Sequence, residues 1–306
     1  MNLIQETKFI MNKYNITANK NYGQNFLIDE LSLQKIIETA SVSKEDLIIE
    51  IGPGLGNLTS ILLENAGKVI CVEIDTKMIN ILNDRFGLYN NFELINEDIL
   101  KIDINELINK NLSLSANFKN VKIVANLPYY ITTPIIMKLL ENKPNIDYIT
   151  IMVQKEVAER LTSIPGTGKE IGAITYSIHY YTNPKYIYTV NKECFIPIPK
   201  VDSAIINLEV LKKAKVIVKD EELFFKIIKS AFMQKRKTLI NSLTNANIIE
   251  KSLLEKIMND LNLDLKIRAE KLSLEQFASL GTAIFDTKYA KRDGENWQFV
   301  INLFVF

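Results

Sequence analysis

Asn126-Leu127-Pro128-Tyr129 ends an apolar, β-branched run (Val121, Ile123, Val124), and packing alone does not ask for an amide, a proline and an aromatic ring in that order. The Asn126 amide oxygen and the Leu127 carbonyl are two adjacent hydrogen-bond acceptors. Pro128 fixes φ, so a loop built on it is stiff and its acceptors are preset. Tyr129 offers a face on which a base can stack, worth roughly 1–3 kcal/mol. Together these residues suit transfer of an electrophilic carbon to a ring amine. The lone pair of such an amine is delocalised into the ring. Acceptors on its two N–H groups orient it and favour the pyramidal, reactive geometry. No strong general base is needed, because the proton becomes acidic once the nitrogen is alkylated; the protein supplies position in a preset polar site. The single histidine, His179, sits among apolar neighbours in ITYSIHYY and reads as structural, so no His-based nucleophile system is expected.

A second constellation lies upstream. EIGPGLGN places Gly52, Gly54 and Gly56 between an apolar run and a helical pattern. Glycines there allow a sharp turn and a close approach of backbone to ligand. The dinucleotide fingerprint would want a small residue at position 57, where Asn57 stands. Glu73 follows Gly52 by 21 residues, a distance that suits a ribose diol, and Asp98, closing NED, would accept from an adenine amino group. No P-loop lysine is present. These residues describe a pocket for an adenosine without phosphates, which favours S-adenosylmethionine over NAD.

Strand-length and helix-length patterns alternate around these residues. DLIIEI, KVICVEI, NFELINEDI, VKIVAN and YITIMV read as strands. LTSILLENA (capped by Asn57 and ended by Gly67), TKMINILNDRF, TPIIMKLLE and QKEVAERLT read as helices. Such alternation predicts a parallel sheet covered on both faces, with ligands at the carboxyl ends of its strands. KYIYTV and SAIINLEVL are two further strands flanking the proline-rich CFIPIPKVD. After Lys219, EELFFKIIKSAFMQKRKTLINSL, IIEKSLLEKIMNDL and SLEQFASL show helical spacing with no strands between them, and predict a small all-helical domain.

The chain has 306 residues, 47% of them hydrophobic and 24% charged, with a net charge of +1, which is the composition of a globular protein. No apolar run is long enough to cross a bilayer, and no secretory or mitochondrial address is evident, so a cytoplasmic location is expected. Cys71 and Cys194 have no Cys or His partner at metal-ligand spacing, so neither a metal site nor a disulfide framework is expected. The near-neutral total hides an asymmetry. Residues 30–110 hold 7 Lys/Arg against 14 Asp/Glu, whereas residues 200–237 hold 10 against 5. The first suits a cationic ligand and the second a polyanion, and a solvated face is the plain alternative for each.

QNFL (Gln24–Leu27), EIGPGLGNLT, VEID, NEDIL, NLPYYITTPI and FIPIPKVDSAI occur in an order that resembles the ribosomal RNA adenine N6-dimethyltransferases, and AFMQKRKTLINSL looks like that family's C-terminal helical segment. The likeness covers about residues 22–281. It implies a class I methyltransferase fold, an α/β Rossmann-like seven-stranded sheet with a small C-terminal all-helical domain. It further implies S-adenosylmethionine as methyl donor and dimethylation of adenosine N6. Carried onto this sequence, it places Asn25, Leu27, Gly52, Gly54, Glu73, Asp98 and Asn126 against the cofactor. Asn126, Leu127, Tyr129 and Phe195 become catalytic, with Tyr129 and Phe195 as the aromatics about a flipped base. Lys235, Arg236 and Lys237 would meet RNA phosphates.

The expected organisation is a cofactor-binding catalytic domain at 1–215, a helical RNA-binding domain at 216–285 and an atypical tail at 286–306. NLPYYITTPI with FIPIPKVDSA resembles the branch that modifies two adjacent adenosines in the terminal hairpin loop of small-subunit rRNA. The expected partner is therefore the immature small ribosomal subunit, met by a monomer. The alternatives are the large-subunit branch that confers macrolide resistance and a non-catalytic binding protein on the same scaffold.

Overall fold

The computed structural model describes residues 2–18, 23–114, 118–142, 144–168, 170–234 and 236–289. They fall into two compact units, Met1–Lys215 and Val216 onward.

The first unit is a seven-stranded sheet in the order β4-β3-β2-β5-β6-β9-β7. Its strands are β2 (Asp46–Ile51), β3 (Lys68–Glu73), β4 (Phe92–Asn96), β5 (Asn120–Asn126), β6 (Tyr148–Gln154), β7 (Thr182–Val190) and β9 (Ser203–Val210). β2 to β6 are parallel, as the alternation of strand and helix predicts. The prediction of a parallel sheet fails at one strand: β9 enters between β6 and β7 antiparallel to both. Its connection from β7, the segment 191–202, carries only a short 3-10 turn and the two-residue β8 (Phe195–Ile196), and no crossover helix. Without a crossover the chain doubles back, so the next strand must run antiparallel.

Helices cover the sheet: α1 (Leu3–Lys13), α2 (Glu30–Ala40), α3 (Asn57–Asn65), α4 (Thr76–Phe86), α5 (Ile104–Leu114), α6 (Thr132–Glu141), α7 (Lys155–Thr162) and α8 (Ala173–Tyr181). On one face Ile48, Cys71, Val124, Met152 and Ile205 from five strands pack with Leu33 and Ile36 of α2, Leu62 of α3 and Ile81 and Leu82 of α4. α1 begins at a capping box in which Asn2 and Gln5 exchange side-chain and backbone bonds. At the amino end of the sheet Lys122 and Asp46 form a buried ion pair at 2.7 Å.

The second unit is α9 (Glu221–Phe232), α10 (Leu239–Asn245), α11 (Lys251–Asp260) and α12 (Leu274–Tyr289) around Phe224, Leu243, Leu254 and Phe277. The stretch read as one long basic helical run is broken. Between α9 and α10 the chain makes a turn closed by Lys237 N–H on the Gln234 carbonyl (2.9 Å), and α10 restarts at its Thr238 cap. Arg236 and Lys237 therefore sit in an interhelical turn. Lys235 and residues 290–306, most of the tail, lie outside the described residues.

Candidate active site

The turn from β2 to α3 runs through Gly52, Gly54 and Gly56, all at positive φ. Gly56 has no alternative: φ is +84° and a Cβ there would stand 2.4 Å from the Phe86 ring. Gly56, not Asn57, is the residue at the amino-terminal cap of α3, and Ala66, not Gly67, is its C-cap. Freed from capping, Asn57 donates from Nδ2 to the Leu27 carbonyl (2.8 Å) and to Thr7 Oγ1 (3.0 Å). The residue that breaks the dinucleotide fingerprint thus ties the glycine loop to two other segments. Glu73, at the end of β3, accepts from the backbone N–H of Gly54 (3.2 Å) and of Asp75 (2.9 Å). Burial is the largest influence on its carboxyl and pushes it above the usual range.

QNFL is the segment on which the other loops converge. Gln24 donates to Asp75 at 2.9 Å. β1 (Phe26–Leu27) pairs antiparallel with β8, Phe26 opposite Ile196 and Leu27 opposite Phe195. The Asn25 side chain turns back to the Gly23 carbonyl (3.0 Å), while the Asn25 carbonyl accepts from Asn126 Nδ2 (3.2 Å). That last bond orients the Asn126 amide: its nitrogen is engaged, and its oxygen is left as an acceptor.

The NLPY loop is held at several points. Leu127 N–H donates to the Met152 carbonyl at 3.1 Å, and Ile131 N–H closes a turn on Pro128 at 3.2 Å. No donor among the described residues reaches the Leu127 carbonyl. The Tyr129 hydroxyl is 2.7 Å from Ser203 Oγ on β9, so the reversed strand is what anchors this ring. Burial pushes the Tyr129 hydroxyl above its usual range, so it stays neutral. Phe195 is placed differently from the expectation. Its ring is 1% exposed and packed in the core cluster with Phe26, and it does not line the cavity. Of the two predicted base-stacking aromatics, only Tyr129 does.

These loops enclose a cavity of about 340 Å³. Asn25, Leu27, Gly52, Gly54, Glu73, Asp98, Asn126, Leu127 and Tyr129 all line it, so residues spread over more than a hundred positions share one wall. Asp98 is held there by its own turn, Oδ1 accepting from Leu100 N–H at 2.9 Å. The lining also includes Glu50, Glu97 and Tyr130, which the sequence reading did not single out, and Asn57, which it read as a helix cap and as the break in the dinucleotide fingerprint. Glu50 carried a visible signal, a carboxylate inside the apolar strand DLIIEI. Four acidic side chains and, among the described residues, no lysine or arginine line the cavity. That set repels phosphates and suits a positively charged, adenosine-bearing cofactor. A Cβ at Gly54 would stand 3.2 Å from the Phe26 ring, so the cradle needs bare backbone. S-adenosylmethionine fits this donor set. His179 is buried away from the cavity, and burial lowers its imidazole to about 4, leaving it neutral and structural. Among the described residues no group of His, Cys, Asp or Glu could hold a metal ion, and no helix is long and apolar enough to cross a membrane.

Residues 15–284 match the family described as ribosomal RNA adenine dimethylase. The chain is 49% identical over 280 residues to a ribosomal RNA small subunit methyltransferase A of Clostridium botulinum (strain Langeland), covering 92% of this chain and 98% of that protein. It is 47% identical over 277 residues to the protein of the same name from Alkaliphilus oremlandii, covering 90% and 95%. Among solved structures, a dimethyladenosine transferase from Plasmodium falciparum superposes with a TM-score of 0.71 at 28% identity, covering 86% of this chain and 98% of that one. A glycine cradle, acidic strand ends and an amide-bearing NLPY loop around one cavity, on a chain matched over almost its whole length, establish that this protein belongs to the ribosomal RNA adenine dimethylase family.

Proposed function

We propose that this enzyme dimethylates N6 of two adjacent adenosines in the 3′-terminal hairpin loop of small-subunit rRNA, acting as a cytoplasmic monomer on the immature subunit. S-adenosylmethionine, when bound, supplies the electrophilic methyl group. One observation carries the reading: Asn126 Nδ2 donates to the Asn25 carbonyl (3.2 Å), which leaves Asn126 Oδ1 as an acceptor, and Asn126 and Leu127 both line the cavity.

Asn126 Oδ1 and the Leu127 carbonyl take the two N–H groups of the target amine and bring its lone pair out of the ring plane. Pro128 and the bond from Leu127 to Met152 keep them fixed, so little reorganisation is needed during reaction. Tyr129, anchored on Ser203, stacks on the extruded base. The acidic lining favours the cationic donor over its neutral product. In the helical unit, Arg236 and Lys237 contribute phosphate contacts that add affinity without reading bases. The small-subunit substrate is supported by the relatives at 47–49% identity, each named a ribosomal RNA small subunit methyltransferase A.

The test is incubation with labelled S-adenosylmethionine and immature small subunits, followed by nucleoside analysis. Dimethyladenosine at two neighbouring positions is the expected product. Methyl transfer confined to large-subunit RNA would overturn the substrate assignment, and RNA binding without transfer would overturn catalysis.

A further inference from the structure

Glu50 is a carboxylate on the cavity wall with no cation among the groups that act on it. It lies on β2 and is 2% exposed. Oε2 accepts from Thr59 Oγ1 of α3 at 2.7 Å and from Cys71 Sγ of β3 at 3.4 Å. No hydrogen bond among the described residues reaches Oε1. In the sheet Glu50 is opposite Cys71 on one side and Val124 of β5 on the other. The titratable groups acting on it are Cys71 and Glu73 of β3, and neither is a cation. Asn57 Oδ1 is buried on the same cavity lining with no hydrogen-bond partner among the described residues. This part of the wall therefore offers two acceptor atoms, Glu50 Oε1 and Asn57 Oδ1, that no donor among the described residues reaches, and a carboxyl with no counter-charge, an arrangement that costs stability unless a ligand supplies the missing partners.

Resting on the donor assignment above, we propose that Glu50 is the counter-ion of the bound sulfonium donor, giving up its proton to solvent when the charged donor enters and taking it back when the neutral thioether product remains. The O–H bond of the carboxyl breaks, the proton leaves to buffer, and the carboxylate charge is balanced by the ligand. Burial, opposed by the bonds from Thr59 and Cys71 and reinforced by Glu73, puts this carboxyl at about 7 in the ligand-free protein, so the exchange falls within working pH. Each turnover would then discharge its product partly because Glu50 is reprotonated, a selectivity built from charge where donor and product differ by one methyl.

The experiment is titration calorimetry at pH 7 in two buffers of different ionisation enthalpy. The ligands are S-adenosylmethionine, an unreactive analogue bearing an ammonium in place of the sulfonium, and S-adenosylhomocysteine, each against wild type and Glu50→Gln. Titrations of the ligands themselves are common to both proteins and cancel in the difference. The wild type should release about half a proton more than Glu50→Gln with either charged ligand, and no more with the product. Between pH 6 and 8 the wild type's affinity for the charged analogue should rise about tenfold relative to Glu50→Gln, and its affinity for product less than twofold. Thr59→Val, which removes a bond to the carboxylate but does not touch the cavity, should move the inflection to higher pH and covers the case of a Glu50 variant that fails to fold. Equal proton release with charged and neutral ligands, or an inflection that ignores Thr59→Val, overturns the proposal while leaving the donor assignment standing. If none of the three ligands binds the folded wild type, the donor assignment itself fails.

Discussion

β2 carries a buried carboxylate near each end, and the two are treated in opposite ways. At the amino end Asp46 is 0% exposed, yet it is surrounded by donors: Lys122 Nζ at 2.7 Å, Asn120 Nδ2 at 2.8 Å and the Ser43 N–H at 2.7 Å. Burial alone would push its carboxyl up, but these donors outweigh it and hold the group below the usual carboxylate range. At the carboxyl end Glu50 is equally buried, has no cationic partner, and is pushed up to about 7. The contrast teaches how to tell structure from site. A buried charge with all its partners in place belongs to the fold, and one lacking them is waiting for a ligand. The same strand therefore carries a stability element at one edge of the sheet and a binding element at the other, as expected where ligands sit at strand carboxyl ends.

The largest effect should come from breaking the matched end. Lys122→Met leaves Asp46 buried without its cation and should cost about 3–5 kcal/mol in urea unfolding, with most of that loss recovered in the double variant Lys122→Met, Asp46→Leu. A loss below about 1 kcal/mol would show the two ends to be less different than their contacts suggest. At the unmatched end, Asn126→Ala should lower methyl transfer about 10²–10³-fold while S-adenosylmethionine affinity changes only a few-fold, read by labelled-methyl assay and calorimetry side by side.

The two carboxylates should also give opposite pH signatures in the ligand-free protein. Glu50 has a folded value above its unfolded one, so its stabilising share is present at low pH and lost as pH rises through about 7. Glu50→Gln should therefore raise the melting temperature at pH 8 and leave it nearly unchanged at pH 4, with a ceiling of about 3 kcal/mol. Asp46 has a folded value below its unfolded one. Its share is present above the unfolded value and lost as pH falls through the folded one, so the penalty of Asp46→Asn should shrink in acid. Parallel melting curves for the two variants would erase the comparison. The smallest effect is expected of Tyr129→Phe, which removes the hydroxyl bonded to Ser203 and should cost about 1 kcal/mol with methyl transfer kept within a few-fold. Tyr129→Ala should instead weaken substrate RNA binding by roughly 1–3 kcal/mol, measured as KM.

Much of the site was legible in the string because strand-ending motifs are local. The glycine loop, Glu73, Asp98 and NLPY each follow an apolar run, and a parallel sheet gathers such ends along one edge. What stayed illegible depended on distant neighbours. Asn57 has the residue type of a helix cap, and only the approach of Leu27 and Thr7 gives it other work. β9 has the same apolar pattern as the parallel strands, and its reversal follows from a short connection rather than from its own residues. Phe195 stands in a motif that resembles a base slot, but the pairing of β8 with β1 carries its ring into the core. The basic run after Phe232 keeps a helical period through a turn that the Thr238 cap imposes.

Residue types and their spacing along the chain were sufficient to identify the alternation of strand and helix and to pick out loop residues that line one cavity, because each rests on chemistry within a few neighbouring residues. Only the tertiary structure decided which carboxylates are matched and which are not, since a charge is stabilised or stranded by the donors and the low-polarity packing that folding brings to it from elsewhere in the chain. Asp46 and Glu50 differ by one methylene and stand four positions apart, and it is Lys122 and the cavity, not their own identity, that make one a brace and the other a binding group.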